Sequence, residues 1–301
     1  MNIIAKKLFK IVLKEFYSLN ELEGEEFKEG LRKFKEKHPM TSAPRRNIRK
    51  HMDIKECKVE GGIYYRAKDK LRRSNKKVLF IHGGGFVAEA MTVHWDLCRR
   101  LARDTGCEII FPQYPLVPES DAEGAHKMLM EVYKEFIKDS DSKDLTIMGD
   151  SAGGTFALSL SMLARDRGMK LANEIVLISP GLKMSDLNET EKKRAEYIKK
   201  HDQIIGVFPV DKISKLWYGK LEPDEKRSDV GKGDLNGLPP ITMFSGTHDI
   251  MNIPARRLAK MLKKEGHEHI YIEKKGGIHD YALAGKSKME YDIMVSKIIG
   301  K

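Results

Sequence analysis

The 301-residue chain is poor in cysteine and has no long apolar run. Its three cysteines, Cys57, Cys98 and Cys107, are too few and too irregularly spaced for a disulfide framework or a metal site. They read as reduced thiols of a cytoplasmic protein. No apolar stretch reaches the roughly 18 to 20 residues that a membrane span needs. The opening MNIIAKKLFKIVLKEFYSLN does not fit a signal peptide, because Lys6, Lys7, Lys10 and Lys14 interrupt every candidate apolar core and no small-residue cleavage site follows. Zinc-finger spacing is absent, as is a basic stripe interleaved with stacking aromatics, so the net charge of +11 reads as a solvated basic surface rather than a nucleic-acid footprint. More than half of that excess lies in residues 1–50, where 13 Lys and Arg face 7 Asp and Glu. Repeats and low-complexity segments are also missing.

The composition that remains is globular, with 41% hydrophobic residues and 33% charged residues of mixed sign. In residues 1–17, Ile4, Leu8, Phe9, Val12, Leu13 and Phe16 form one apolar stripe of an amphipathic helix, with lysines opposite. Such a helix packs its stripe over a neighbouring surface, or lies weakly on anionic lipid. A second helical stretch covers about 25–37, and Pro39 and Pro44 then break the pattern.

From about residue 55, strand-like runs alternate with helix-like ones. KVLFIH (77–82), CEIIFPQYPL (107–116), DLTIMG (144–149), EIVLISP (174–180), ITMFSG (241–246) and IYIEKK (270–275) read as strands. Helices are expected at about 93–105, 121–138, 152–166, 254–265 and 286–299. This alternation predicts an α/β fold with a mostly parallel sheet covered on both faces, and ligand sites at the carboxyl ends of its strands. Between Gly181 and about Gly237 the alternation stops, which predicts an insertion of short helices and loops.

Two glycine-rich stretches lie at strand ends. In LFIHGGGFV, Gly83, Gly84 and Gly85 follow a strand and either turn the chain or let bare backbone N–H groups approach a ligand. In TIMGDSAGGTFALS, Gly149-Asp150-Ser151-Ala152-Gly153 matches G-x-S-x-G between a strand and a helix, the context that this pattern requires. A serine there stands on a sharp turn with its Oγ above the sheet. It needs a base, and the base needs an orienting acid. Asp249, just beyond ITMFS, and His279, beyond IYIEKK, lie at carboxyl ends of strands on the same sheet edge. Among ten histidines, His248 precedes the acid and reads as a loop residue, and His82 opens the glycine loop as a hydrogen-bonding residue. Asp280 directly follows His279 and is badly placed to orient that ring.

Together, His82-Gly83-Gly84-Gly85-Phe86 and Gly149-Asp150-Ser151-Ala152-Gly153-Gly154 resemble the hormone-sensitive-lipase-like branch of the α/β-hydrolases, and the branch includes acetyl esterases. YPLVPE (114–119) resembles that branch's Y-R-L-A-P-E segment, with Pro115 in place of arginine. Two further departures are Asp280-Tyr281 after the histidine, where Gly-Phe is frequent, and Asp249-Ile250-Met251 where Asp-Pro-Leu is usual. The likeness spans about 75–300. It implies an eight-stranded, mostly parallel sheet with a helical cap built from residues 1–50 and an insertion at about 182–236, the hydrolase domain occupying 51–301. It implies a serine carboxylesterase for short- to medium-chain acyl esters, with no cofactor and no metal. By motif, Ser151 is the nucleophile, Asp249 the acid and His279 the base. The N–H groups of Gly84, Gly85 and Ala152 form the oxyanion hole, and His82, Phe86 and Asp150 are candidate pocket residues. The expected partner is a small-molecule ester, with neither nucleic acid nor an integral membrane span. Family members are often homodimers, but no interface is legible here. Amidase or lactonase chemistry on the same scaffold is an alternative. So is a small-molecule receptor, although plant gibberellin receptors of this likeness have lost the histidine that His279 supplies.

Overall fold

The computed structural model describes residues 12, 14–38, 42–184, 186–202, 204–205, 208–221, 230 and 233–301. Most of the expected N-terminal helix lies outside these residues; residues 14–18 are helical.

Eight strands form one sheet: β1 (Met52–Val59), β2 (Gly62–Asp69), β3 (Lys77–Ile81), β4 (Glu108–Gln113), β5 (Leu145–Asp150), β6 (Glu174–Ile178), β7 (Ile241–Gly246) and β8 (His269–Lys274). Their spatial order is β1-β2-β4-β3-β5-β6-β7-β8. The β2 strand runs against the other seven, and from β4 to β8 every pairing is parallel. The order reverses at β3, which sits between β4 and β5, so the chain leaves β3 and β5 at the point where parallel sheets open a crevice.

Successive residues of the central strands serve different cores, because side chains alternate across a sheet. Leu79, Ile81, Ile147, Ile175 and Leu177 pack on one face with α4 (Ala122–Ile137), α5 (Ala152–Asp166) and α8 (Asn252–Lys264). Val78, Phe80, Met148, Val176 and Ile178 pack on the other with α3 (Thr92–Thr105) and α9 (Lys288–Ile299). Burial on both faces explains why these strands read as continuous apolar runs. Helix α4 is capped by Asp121, whose side chain accepts the Gly124 N–H at 3.0 Å. Helix α8 begins two residues before the expected Pro254. A proline in the first helical turn forfeits an N–H that has no intrahelical acceptor there.

The β1–β2 hairpin was not expected as strands. Its β1 half carries four exposed charged residues, Asp53, Lys55, Glu56 and Lys58, and Glu60-Gly61 turns the chain with Gly61 at φ 88°. An exposed edge strand carries little of the apolar signal by which the inner strands announce themselves.

Outside the sheet lie α1 (Gly24–Lys37) and α2 (Arg46–His51) at the N-terminal end, and α6 (Glu189–Lys199) and α7 (Val210–Tyr218) between β6 and β7. The two segments meet. The Phe16 ring lies 4.9 Å from both Phe34 and Phe208, and Lys212 Nζ donates to the Asn20 carbonyl at 2.6 Å. No helix among the described residues is long and apolar enough to cross a membrane.

Candidate active site

Ser151 joins β5 to α5 at φ 49° and ψ −121°. Non-glycine residues seldom adopt positive φ, and holding one there costs about 1–3 kcal/mol that the surroundings must supply. The Ser151 N–H donates to Ile178 O at 2.9 Å, and its carbonyl accepts from Gly154 N at 2.9 Å and Gly181 N at 2.7 Å. The flanking glycines are required by contact. A Cβ on Gly149 would lie 2.1 Å from Gly153 O, and one on Gly153 would lie 1.9 Å from Ile81 O of β3. The spacing G-x-S-x-G thus brings two backbones together around a tight turn that aims the serine outward.

Asp249 and His279 follow β7 and β8 and converge on that serine. His279 Nε2 lies 2.9 Å from Ser151 Oγ, and His279 Nδ1 lies 3.0 Å from Asp249 Oδ2. Ser151, Asp249 and His279 are 7%, 0% and 5% exposed, so the relay is nearly dry. The other Asp249 oxygen accepts from Met251 N at 2.9 Å, which anchors the carboxylate beside the ring. The acid's loop is also tied to the insertion: Asp202 Oδ2 accepts from Ile250 N at 2.9 Å while its Oδ1 accepts from Ile204 N and Ile205 N. Sequence reasoning had no signal for Asp202, which is buried in a segment of irregular pattern.

Burial pulls the His279 pKa down, and the carboxyls facing the ring push it up, Asp280 most strongly when it is ionised and Asp249 after it. Asp280, read from the sequence as badly placed to orient the ring, leaves Nδ1 to Asp249 but approaches the ring at Nε2. Its backbone sits in the left-handed region at φ 56°, its N–H donates to Ser179 Oγ at 3.1 Å, and its Oδ2 comes within 3.3 Å of His279 Nε2. That conformation turns the carboxyl back onto the ring of the preceding residue. Burial, with the charges of Asp150 and Asp249, drives the Asp280 pKa well above the carboxylate range.

The three glycines of the β3 loop have separate causes. A Cβ on Gly83 would meet Asp150 Oδ2 at 2.3 Å and Ser151 Cβ at 2.9 Å. Gly84 has φ 118° and Gly85 φ 59°, and their Cβ atoms would strike Ala88 O at 2.5 Å and the Phe208 ring at 2.4 Å. Gly83, not Gly84 or Gly85, is therefore the glycine pressed against the serine. No described residue accepts the N–H of Gly84 or Gly85. Ala152 opens α5, where the first N–H groups have no intrahelical acceptor.

His82 and Asp150, expected as pocket residues, are 0% exposed and are withdrawn from the pocket wall. His82 Nδ1 bonds Gly83 O at 2.7 Å, and its ring stacks 4.5 Å from Tyr114. Burial, helped by nearby His94, lowers its pKa to about 4, so it is neutral near pH 7. Such a residue holds the loop rather than the ligand. Phe86 remains half-buried, stacked 3.9 Å from Trp217 of the insertion. His248 stacks on His201 at 4.7 Å, away from the relay. Among the described residues no group of three or more His, Cys, Asp or Glu side chains is placed to hold a metal ion.

The family described as alpha/beta hydrolase fold matches residues 78–283, over half of the chain. The chain belongs to that family. An esterase from Acinetobacter venetianus is 28% identical over 191 residues, 62% of this chain and 62% of its own. A triacylglycerol lipase from Mycobacterium tuberculosis is 28% identical over 207 residues, 68% of this chain and 42% of its own. An acetyl esterase from Salmonella typhi is 29% identical over 135 residues, 42% of either chain. The chain thus spans less than two thirds of the length of these curated relatives. Among solved structures, EstE5, soaked with p-nitrophenyl butyrate, superposes with a TM-score of 0.75 at 20% identity, over 96% of this chain and 97% of that one. An esterase from the bacterial hormone-sensitive lipase family superposes with a TM-score of 0.73 at 19% identity, over 97% of each. These likenesses show the fold.

Proposed function

We propose that this alpha/beta hydrolase is a serine carboxylesterase for short- to medium-chain acyl esters, with Ser151 as nucleophile, His279 as general base and Asp249 as the orienting acid. The observation that carries the reading is the unbroken relay Asp249–His279–Ser151, with contacts of 3.0 and 2.9 Å on a positive-φ serine.

In this reading, His279 Nε2 takes the hydroxyl proton as Oγ attacks the ester carbonyl. Asp249 keeps the other ring proton at Nδ1 and stabilises the imidazolium. The carbonyl oxygen becomes an oxyanion that accepts from the N–H groups of Gly84, Gly85 and Ala152. Such donors act on charge that develops only in the transition state, and one is worth about 100- to 1,000-fold in rate. His279 then gives its proton to the leaving alcohol. Water, deprotonated by the same ring, attacks the acyl-enzyme, and Ser151 is restored as the acid departs. No step calls for a metal or an organic cofactor.

In this reading the described parts of residues 1–50 and 182–236 belong to a cap over this site. Phe208 against Gly85, and Phe16 against Phe208, support that assignment. The names of the relatives, esterase and acetyl esterase, favour ester over amide or lactone substrates. A receptor that binds without turnover has no use for a base in contact with its serine.

The test is hydrolysis of p-nitrophenyl acetate and butyrate by the purified chain and its His279→Ala variant. Turnover by the wild type and its loss in the variant is the expected result. Absence of turnover on either ester overturns the reading.

A further inference from the structure

The relay does not use the most unusual group beside it. Asp150 and Asp280 place two carboxyls within hydrogen-bonding reach of each other, beside Ser151 and His279. Oδ1 of Asp150 and Oδ1 of Asp280 are both buried, and neither has a hydrogen-bond donor among the described residues. Two carboxylates cannot satisfy each other, since ionised carboxylates only accept. A single proton between them removes both deficits, because a carboxylic acid donates to a carboxylate.

The neighbours decide which carboxyl holds that proton. Asp150 Oδ2 lies 3.1 Å from His94 Nε2. The Met91 N–H donates to His94 Nδ1 at 2.9 Å, so the ring's proton is on Nε2 and points at Asp150. Asp150 therefore has a donor as a carboxylate. Asp280 has none at Oδ1, and ionising it would set a second negative charge beside Asp150 and Asp249. A fifth of its side chain is open to the site, so burial does not act alone, and the Asp150 charge adds to it. The other titratable groups of this cluster are His279, Asp202 acting on it from the insertion, and His82 and Tyr114 near Asp150.

We infer that Asp150 and Asp280 share one proton, held on Asp280, and that this keeps Asp280 uncharged beside His279 so that the ring stays free to accept the Ser151 proton. Asp280 and Asp150 are positioning residues that act through His279. An ionised Asp280, 3.3 Å from Nε2, would hold the ring as an imidazolium turned away from the serine. The Asp280 carboxyl thus needs a charged partner behind it, and Asp150, which directly precedes the nucleophile, is that partner. The inference rests on the esterase reading for its kinetic test, and an infrared test stands apart from it.

The kinetic test compares the pH profile of kcat/KM on p-nitrophenyl butyrate for wild type, Asp150→Asn, Asp280→Asn and the double variant. An asparagine at 150 removes the charge and offers an N–H to Asp280, so Asp280 ionises and raises the pKa of His279. The acid limb of Asp150→Asn should move up by about one unit or more, a loss of about tenfold at pH values below it. The double variant should bring the limb back, and Asp280→Asn alone should not raise it. An unmoved limb in Asp150→Asn, or one that the second substitution does not restore, overturns the inference. The second measurement is the infrared difference spectrum between wild type and Asp280→Asn at neutral pH. It should show loss of a protonated-carboxyl C=O band, and a difference confined to carboxylate bands overturns the inference even if Asp150→Asn does not fold. Absence of ester turnover in the wild type would instead sink the esterase reading and leave the infrared result to judge the shared proton.

Discussion

The Phe208 ring stands where a side chain on Gly85 would have to go, 2.4 Å from its ideal Cβ position. Phe208 comes from the segment between β6 and β7, and Gly85 from the loop after β3. The contact therefore sets a large apolar ring from the proposed cap against a candidate oxyanion donor. Phe16 extends the same wall from the N-terminal segment.

Phe208→Ala should accordingly lengthen the acyl chain that the site accepts. In a series of p-nitrophenyl esters from acetate to laurate, the variant's optimum should move to longer chains than the wild type's, with the acetate rate less affected than the laurate rate. An unchanged profile would show that the ring does not border the acyl path. The ring offers apolar surface worth about 25 cal/mol per Å² buried, so some loss of stability accompanies the change.

Asp249→Asn should lower kcat by about 10⁴ while leaving KM within a small factor. An amide at this position can present an N–H to Nδ1 and favour the tautomer that leaves Nε2 unable to accept the serine proton. Steady-state kinetics on p-nitrophenyl butyrate measures the effect. A drop below tenfold would mean that Asp249 Oδ2 is not what orients His279.

The neutral, buried His82 predicts a pH dependence of stability. Its pKa falls to about 4 in the folded chain because burial disfavours the imidazolium. An unfolded histidine titrates near ~6.5. Between those values the unfolded chain binds the extra proton, so stability falls as pH falls through that window, by about 3 kcal/mol in all. Urea unfolding at pH 7 and pH 5 measures the slope. His82→Asn, which carries no titrating ring, should flatten it by about one proton, and an identical slope in the variant would contradict this account.

The legible parts of the fold and site were those with local patterns. The strands β3 to β7 were visible because burial on both faces makes them continuously apolar. Gly149 and Gly153 were visible because a backbone contact at fixed spacing forbids any other residue. Asp249 and His279 could be chosen from many acids and ten histidines because both lie just past strands at one sheet edge. Features made by non-local or unusual geometry were hidden. Asp202 reaches the acid loop across the insertion. Asp280 reads as badly placed until its left-handed φ of 56° is known, since that angle folds the carboxyl back onto His279. His82 and Asp150 sit inside the two glycine motifs, and only their complete burial separates support from contact.

The central claim is that Ser151, activated by His279, is the nucleophile, and covalent capture tests it most directly. The purified chain is treated with a fluorophosphonate ester, and its peptides are weighed. One adduct on the peptide holding Ser151 is predicted, with labelling at least about 1,000-fold slower in His279→Ala, as loss of a general base and orienting partner implies. No adduct, an adduct on another residue, or equal labelling in the variant would contradict the account.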